Sequence, residues 1–518
     1  MTTLSPSSIA RLYLPSKCEL RTWLRANDFE SAPDSDFQVF IKEQGELHEG
    51  RVLERLTAAY PTIIDIDGYN NRDAAQQTSA AIDAADALIY QGQFVLDHEI
   101  GGKTTRILGY PDFLLPDGDG WIIADAKLAG TIFNPPRKRD GGRSPKASKK
   151  YIVLQLQLYG WMFEELFPNT PFKLHVYTGT GDIEEVEYDG GIEALEHLAR
   201  ILELEALTTE PIEVVGWTKC GGCGFREHCW PRAVSGDELG YVAELRVDFA
   251  ERLIAAGVTS YPQILEQFTE ESLAEFYANG KKVSESNRGS ARKLIENVTA
   301  LTTNKPVRRR DSAGDPIALP AEVTAADNFV MFDLEGAKPD TDLPQFVYLW
   351  GMQVYGTEKG EFHGAVSGFN EGGDEQGWFA FLAIAADLME QHPGIRFVHW
   401  ANYEKQMVEA YLKKYTDDAA GTGAKVLESL LDLYPITQDT FALPTPSYSL
   451  KVVEQAAGYT RQANTVVKGD QSIVAYTEAR DTEDTEQQKA IMEAIRAYNE
   501  EDLEATWAVQ QWLAGLGD

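Results

Sequence analysis

Residues 109–127 constrain this chain more than any other stretch. They read Gly109-Tyr-Pro-Asp112, then Phe-Leu-Leu, a Pro-Asp-Gly-Asp-Gly turn, and Trp121-Ile-Ile-Ala-Asp125-Ala-Lys127. Two short apolar runs flanking an Asp-Gly turn predict a β-hairpin. Side chains alternate faces along a strand, so Asp125 and Lys127 project the same way. Asp112 opens the partner strand and reaches that face. Two carboxylates and an ammonium thus converge at one end of the hairpin. Hard oxygen donors of this kind suit Mg²⁺. A neighbouring lysine can orient water or offset charge on a phosphoryl group. An Asp-x-Lys triplet recurs by chance in acidic chains, so its weight comes from the hairpin and from what surrounds it.

A chain of 518 residues has length for two or three domains. It shows no long uninterrupted apolar run and no signal pattern at its start, so the expected location is the cytoplasm. With 81 acidic residues against 47 basic ones, the formal net charge is −34. Such a balance argues against a broad DNA-coating surface and leaves room for a local basic groove. The 4 cysteines speak for metal or redox chemistry rather than a disulfide framework.

Residues 43–58 predict an amphipathic helix carrying Glu46, His48 and Glu49. A helical histidine is more often packed or solvated than a ligand. The approaching hairpin nevertheless makes His48 a candidate third ligand, because imidazole also suits Mn²⁺. After the hairpin, residues 135–150 hold Arg137, Lys138, Arg139, Arg143, Lys146, Lys149 and Lys150 against one acid, Asp140. The plain reading is a solvated loop; the local charge inversion beside the hairpin favours a phosphate-gripping one. Gln155 and Tyr159 are four apart on a largely apolar helix, hence on one face. They can bond within the core or touch a phosphate. A strand near 172–178 and a helix near 191–206 complete an α/β domain over residues 1–234.

Cys220, Cys223 and Cys229 stand as Cys-x2-Cys-x5-Cys, and Cys18 is the remaining cysteine. Three clustered thiolates plus a distant one meet the count of a tetrahedral Cys₄ site. Spacing alone leaves zinc and an iron–sulfur cluster both open.

On these pieces, residues 15–230 resemble the RecB-like branch of the PD-(D/E)XK nucleases, which have a restriction-endonuclease-like fold. His48, Gly-Tyr-Pro-Asp112, Asp125-Ala-Lys127 and Gln155-x3-Tyr159 run in that family's order. The resemblance implies metal-dependent DNA cleavage by Asp112, Asp125 and Lys127. It also implies a [4Fe–4S] cluster on Cys18, Cys220, Cys223 and Cys229. The basic loop is no signature of that family.

Residues 235–305 read as a helical, polar middle section. The helix–Gly–helix pattern at 253–265 resembles a helix-hairpin-helix, with a plain αα-hairpin as the commoner alternative. Residues 306–327, with Arg308-Arg-Arg310, predict a linker. A second α/β domain is expected over 328–518. Its first strand ends in Asp333 and Glu335, two acids on one face, and the strand from 346 is expected to pair with it antiparallel. A strand from 395 runs into a helix opened by Glu404; Asp432 and the Ser447-Tyr-Ser-Leu-Lys451 stretch follow. Tyr498 and Asp502 share a face of the last helix. Carboxylates from separate elements can hold two metals for phosphodiester cleavage, with Tyr498 orienting water.

This half resembles the DEDD exonucleases of the ribonuclease H-like fold. Asp333 and Glu335 match the first motif, Tyr498-x3-Asp502 the third. Glu404 stands where the second motif usually has Asp, with Asp432 a nearby candidate. The pairing of both halves resembles a bacterial family of RecB-like nucleases and implies DNA repair. No Walker A motif appears, so any helicase is expected as a separate partner. The expected protein is a two-site nuclease using Mg²⁺ or Mn²⁺, acting on single-stranded DNA by preference. The alternatives are a repair scaffold with one or both sites inactive, and a nuclease directed at RNA.

Overall fold

The computed structural model describes all residues except 1, 85–86, 138–141, 338–344, 371, 417, 419, 463–470 and 518. The chain forms two compact units. One comprises Met1–Glu213 with Gly222–Phe225; the other comprises Val214–Gly221, Arg226–Ala337 and Gln345–Asp518. The division between the units passes through the cysteine motif. Among the described residues no helix is long and apolar enough to cross a membrane.

The first unit is built on a sheet of β1 (Ile63–Asp65), β2 (Leu88–Tyr90), β3 (Phe113–Asp117), β4 (Gly120–Lys127), β5 (Phe172–Thr178) and β6 (Ile183–Val186), paired in that order. The predicted hairpin is β3–β4, with Phe113 opposite Ala124 and Asp117 opposite Gly120. Gly118 takes φ +66°, the left-handed region that the tight turn requires. Strand β4 then pairs parallel to β5.

Alternation gives the sheet two apolar faces. Leu114, Ile123, Leu174 and Val176 share one core with Leu154, Leu158 and Met162 of α2 (Lys150–Leu166). Leu115, Ala124 and Tyr177 face Val52 and Leu56 of α1 (Asp36–Thr57). Asp112 and Asp125 continue the α2-facing rows of β3 and β4.

In the second unit, β7 (Asn328–Gly336), β8 (Val347–Gly356), β9 (Phe362–Val366), β10 (Phe397–His399) and β11 (Leu430–Asp432) form a sheet of order β9-β8-β7-β10-β11. The first three strands are antiparallel, as the sequence predicts for β7 and β8, and β10 and β11 add in parallel. The central β7 is apolar on both faces and ends at the acids. The long helix α3 (Thr485–Gly517) lies against β7 and β8.

The middle helices have a core of their own, including Phe249, Leu253, Ile264, Leu273, Leu294 and Val298. Between Val247–Ala255 and Pro262–Gln267, Gly257 sits at φ +87°. Residues 306–327 differ from the expected linker. Val307–Arg308 pairs antiparallel with Phe441–Ala442, and the Arg309 side chain is 1% exposed. Its guanidinium donates to the Gln438 carbonyl at 2.6 Å, Asn297 Oδ1 at 2.7 Å, Tyr448 Oη at 3.1 Å and Glu296 Oε2 at 3.3 Å. An arginine triplet reads as solvated spacer only until partners distant in sequence are known.

Candidate active sites

The hairpin delivers the first cluster as the alternation requires. The Asp112 amide donates to Asp125 Oδ1 at 3.3 Å, and the Ala126 amide donates to Asp112 Oδ2 at 2.8 Å. These cross-strand bonds lock the two carboxylates side by side. Asp125 is fully buried. Its Oδ2 receives Lys127 Nζ at 2.8 Å and Gln155 Nε2 at 2.6 Å. Gln155 also donates to Tyr159 Oη at 3.1 Å, and Tyr159 donates to the Tyr110 carbonyl at 2.8 Å. The helical pair therefore clamps the carboxylate to the chain leading into Asp112.

Burial pushes the Asp112 carboxyl well above the ordinary carboxylate range, and the charges of Asp125 and Glu49 add to that; Lys127 opposes it. Burial alone would lower the Lys127 pKa, but the two aspartates outweigh it and hold the ammonium charged. The group is two adjacent carboxyl side chains, with Asp112 pushed toward its neutral form, beside a fixed cation.

His48 lies on α1. It lies in the buried stripe Phe40, Gln44, His48, Val52 and Leu56 of α1, and its Nε2 is 3.1 Å from the Tyr177 carbonyl. Glu49, one residue on, takes Tyr90 Oη at 2.8 Å and bears electrostatically on Asp112. Of the basic residues, Lys138 and Arg139 lie outside the described residues. Arg143 pairs with Glu184 at 2.6 Å and Lys150 with Glu193. Arg137 is exposed, and Lys146 and Lys149 are half-buried. The loop is also braced: the Asn134 amide donates to the Ser144 carbonyl at 2.9 Å. Arg143 and Lys150 are thus committed within the fold.

Cys18 caps the helix Glu19–Ala26, its Sγ accepting from the Arg21 amide at 3.4 Å. The loop bearing Cys223 docks on the same unit: the Ala32 amide donates to the Gly224 carbonyl at 2.8 Å, and Gln38 Nε2 to the Gly222 carbonyl at 3.1 Å. Cys223 also bears electrostatically on Arg25 of that helix. Cys220 and the buried Cys229 belong to the second unit.

The second cluster sits where β7 meets α3. Ligand oxygens of Asp333, Glu335 and Asp502 lie within 4.8 Å of one another. Asn499, one turn before Asp502, donates to Asp333 Oδ2 at 2.7 Å. Ser472 donates to Glu335 and stands 2.5 Å from Tyr348 Oη. Glu404 is buried against His399, with Nδ1 to Oε2 at 3.2 Å. Burial raises the pKa of Asp333, and Asp502, Glu404 and Glu335 raise it further. Burial also raises Asp502 and Glu404, against the pull of Arg461 and His399 respectively. The Tyr498 hydroxyl is raised by burial and then by Asp502 and Glu335, which places it among the acids.

Asp432 takes another role. Its Oδ1 accepts the Ala401 amide at 2.9 Å and the Tyr434 amide at 3.0 Å, so it caps the helix Leu433–Thr440. Sequence reading missed Arg461 and Lys451 as site residues. Arg461 forks onto Glu454 at 2.8 Å through both Nε and Nη2, and Nη2 also donates to Asp502. Lys451 Nζ stands 5.1 Å from the Tyr498 ring centre. Lys451 stands in the Ser447–Lys451 stretch beside the acids, with no role assigned to it there, and no local signal marks Arg461. Hard oxygen donors on converging elements fit Mg²⁺ or Mn²⁺ at this cluster.

No curated protein matches this sequence. Among solved structures, the crystal structure of SSO0001 is 16% identical, over 44% of this chain and 86% of that one, with a TM-score of 0.22. Overlap that loose carries no argument. Residues 330–514 match a family model described as the RNase_H superfamily. That span holds the Asp333, Glu335 and Asp502 cluster, and the C-terminal part of the chain is an RNase H-like domain.

Proposed function

We propose that this chain is a metal-dependent nuclease with two centres, one in each unit. The observation that carries the reading is the convergence of Asp333, Glu335 and Asp502 inside the RNase H-like span. In this reading Asp333, Glu335, Glu404 and Asp502 hold Mg²⁺ or Mn²⁺, which supplies charge compensation and water activation. Tyr498 orients the water, and Arg461 and Lys451 meet the phosphate. The first centre is RecB-like: Asp112 and Asp125 hold the ion, and Lys127 stays protonated beside the phosphate. Gln155 and Tyr159 fix Asp125. Single-stranded DNA is the proposed substrate, cut exonucleolytically at the C-terminal centre.

The test uses oligonucleotides of DNA and RNA, single- and double-stranded, labelled at either end, with Mn²⁺. Wild type is expected to degrade single-stranded DNA. Lys127→Ala and Asp333→Asn should each remove part of the activity, and the double variant all of it. Intact substrate with wild type would overturn the reading. The Arg461–Asp502 pair favours a second reading for the C-terminal centre alone, namely phosphate binding without cleavage; unchanged activity in Asp333→Asn would select it.

A [4Fe–4S] cluster is proposed on thiolates of this chain, which are its ordinary ligands. Anaerobically purified protein should be brown, with broad visible absorption lost in Cys229→Ser. A colourless preparation with stoichiometric zinc would assign zinc instead.

Metal binding should depend on pH in a definite sense. A carboxyl whose folded pKa stands above its unfolded one weakens the fold as pH rises past the unfolded value. Asp112, Asp333, Asp502 and Glu404 are all of this kind. A divalent ion takes the place of the proton and relieves the cost. The Mn²⁺-induced rise in Tm should therefore be larger at about pH 8 than at about pH 5. Equal rises by calorimetry would remove these acids from the metal sites.

A further inference from the structure

The loop after β1 carries an aromatic ring that the fold spends several hydrogen bonds to hold in place. Tyr69 is 69% exposed, yet its ring stacks on Tyr110 with centres 4.1 Å apart and planes 14° from parallel. Tyr110 stands two residues before Asp112, and its carbonyl is the acceptor for Tyr159. Asp112, Asp125 and Lys127 all act electrostatically on the Tyr69 hydroxyl, so the ring borders the first cluster.

Its backbone is pinned. The Gly68 amide donates to the Gln91 carbonyl at 3.0 Å, Gln93 Nε2 to the Gly68 carbonyl at 2.9 Å, and Asn71 Nδ2 to the Ile66 carbonyl at 2.9 Å. A β-carbon at Gly68 would lie 2.7 Å from the Gln91 oxygen, so this approach needs glycine. The Gln91 amide in turn donates to the Asp112 carbonyl at 2.8 Å. One residue thus ties the aromatic loop to the strand that starts at the acidic pair. The ring thus has one face packed on Tyr110 and the side chain is largely open to water. Stacking on its free face is what such a ring offers.

We infer that Tyr69, backed by Tyr110, is the stacking platform for a nucleobase of a single strand whose adjacent phosphate lies at Asp112, Asp125 and Lys127. This rests on the nuclease reading of the first centre and names how that centre grips its substrate. Every base has a π-face, so the platform positions the strand without selecting sequence. A base held in a duplex cannot present that face, so the platform also favours unpaired strands.

The experiment uses the full chain carrying Asp333→Asn, which silences the second centre. Oligonucleotides with 2-aminopurine at successive positions report stacking by loss of fluorescence, with Ca²⁺ replacing Mn²⁺. Quenching is expected at one position. Tyr69→Ala should abolish it and raise KM about tenfold while kcat changes less than about threefold. Tyr69→Phe and Tyr69→Trp should behave like the parent. An abasic residue at the quenched position should reproduce the Tyr69→Ala effect on KM in the parent. Tyr69→Leu, which keeps bulk without a π-face, should fail like Tyr69→Ala and guards against a folding defect. Should Tyr69→Ala leave quenching and KM unchanged while the parent cleaves, the platform falls and the nuclease reading stands. Should the parent neither bind nor cleave, both fall.

Discussion

Gly351→Ala is expected to disable the C-terminal centre although it adds one methyl group and touches no acid. In the register of β7 with β8, Gly351 lies opposite Asp333. The Asn499 side chain crosses the sheet over this glycine to reach Asp333 Oδ2. A β-carbon at 351 would stand 1.7 Å from Asn499 Oδ1 and 2.7 Å from its Cγ. Asn499 is fully buried, so it has no open space to retreat into. Either the amide leaves Asp333 or α3 shifts, and α3 carries Tyr498 and Asp502. A displacement near 1 Å at a catalytic group costs about 100-fold in rate, and overpacking a core costs about 1–3 kcal/mol. Activity of the second centre, read in a Lys127→Ala background, should fall by about 100-fold. The Mn²⁺-induced rise in Tm should shrink in the same variant. Adding Asn499→Ala should restore much of the stability but not the activity. Gly289→Ala, at a helical glycine with nothing within 4 Å, is the neutral control. A Gly351→Ala protein as active and stable as its parent would mean that Asn499 does not occupy this space.

The second large effect concerns stability. Arg309→Ala should cost about 3–5 kcal/mol, because it removes the fully buried cation paired with Glu296. Glu296 is 3% exposed, and its remaining cationic partner is Arg310, with Nε to Oε1 at 3.4 Å. Asn297, Tyr448 and the Gln438 carbonyl lose a donor at the same time. The second unit should melt roughly 10 °C lower. Glu296→Gln in the Arg309→Ala background should recover part of the loss, since a neutral amide is cheaper to bury. Arg309→Met should cost less than Arg309→Ala because it fills volume. Calorimetry of the three variants decides the matter; an unchanged Tm in Arg309→Ala would show that residues 306–327 are spacer after all.

What the sequence made legible was local. The Asp-Gly turn and strand alternation brought Asp112, Asp125 and Lys127 together, and helical spacing put Gln155 and Tyr159 on one face. The antiparallel pairing of β7 with β8 followed from their order. Asp333 and Glu335 at a strand end, with Tyr498 and Asp502 on one helix face, also converge. What escaped was fixed by distant partners. Arg309 looked like linker because its acceptors lie on elements before and after it. Arg461 carried no sequence signal because Asp502 comes to it only in the fold. Asp432 sat near the acids, but its Asp-Leu-Tyr-Pro context is a helix start, and capping was the better reading.

The two clusters differ in how far along the chain their parts are drawn. Asp112 and Asp125 are 13 residues apart and join when one hairpin closes. Asp333 and Asn499 are 166 apart and meet only after α3 returns across the sheet. Closing a short loop costs little entropy and a long one is completed late. Partial denaturation or proteolytic trimming of the last helix should therefore erase the distal centre first, and a damaged molecule would keep the hairpin chemistry after losing the other.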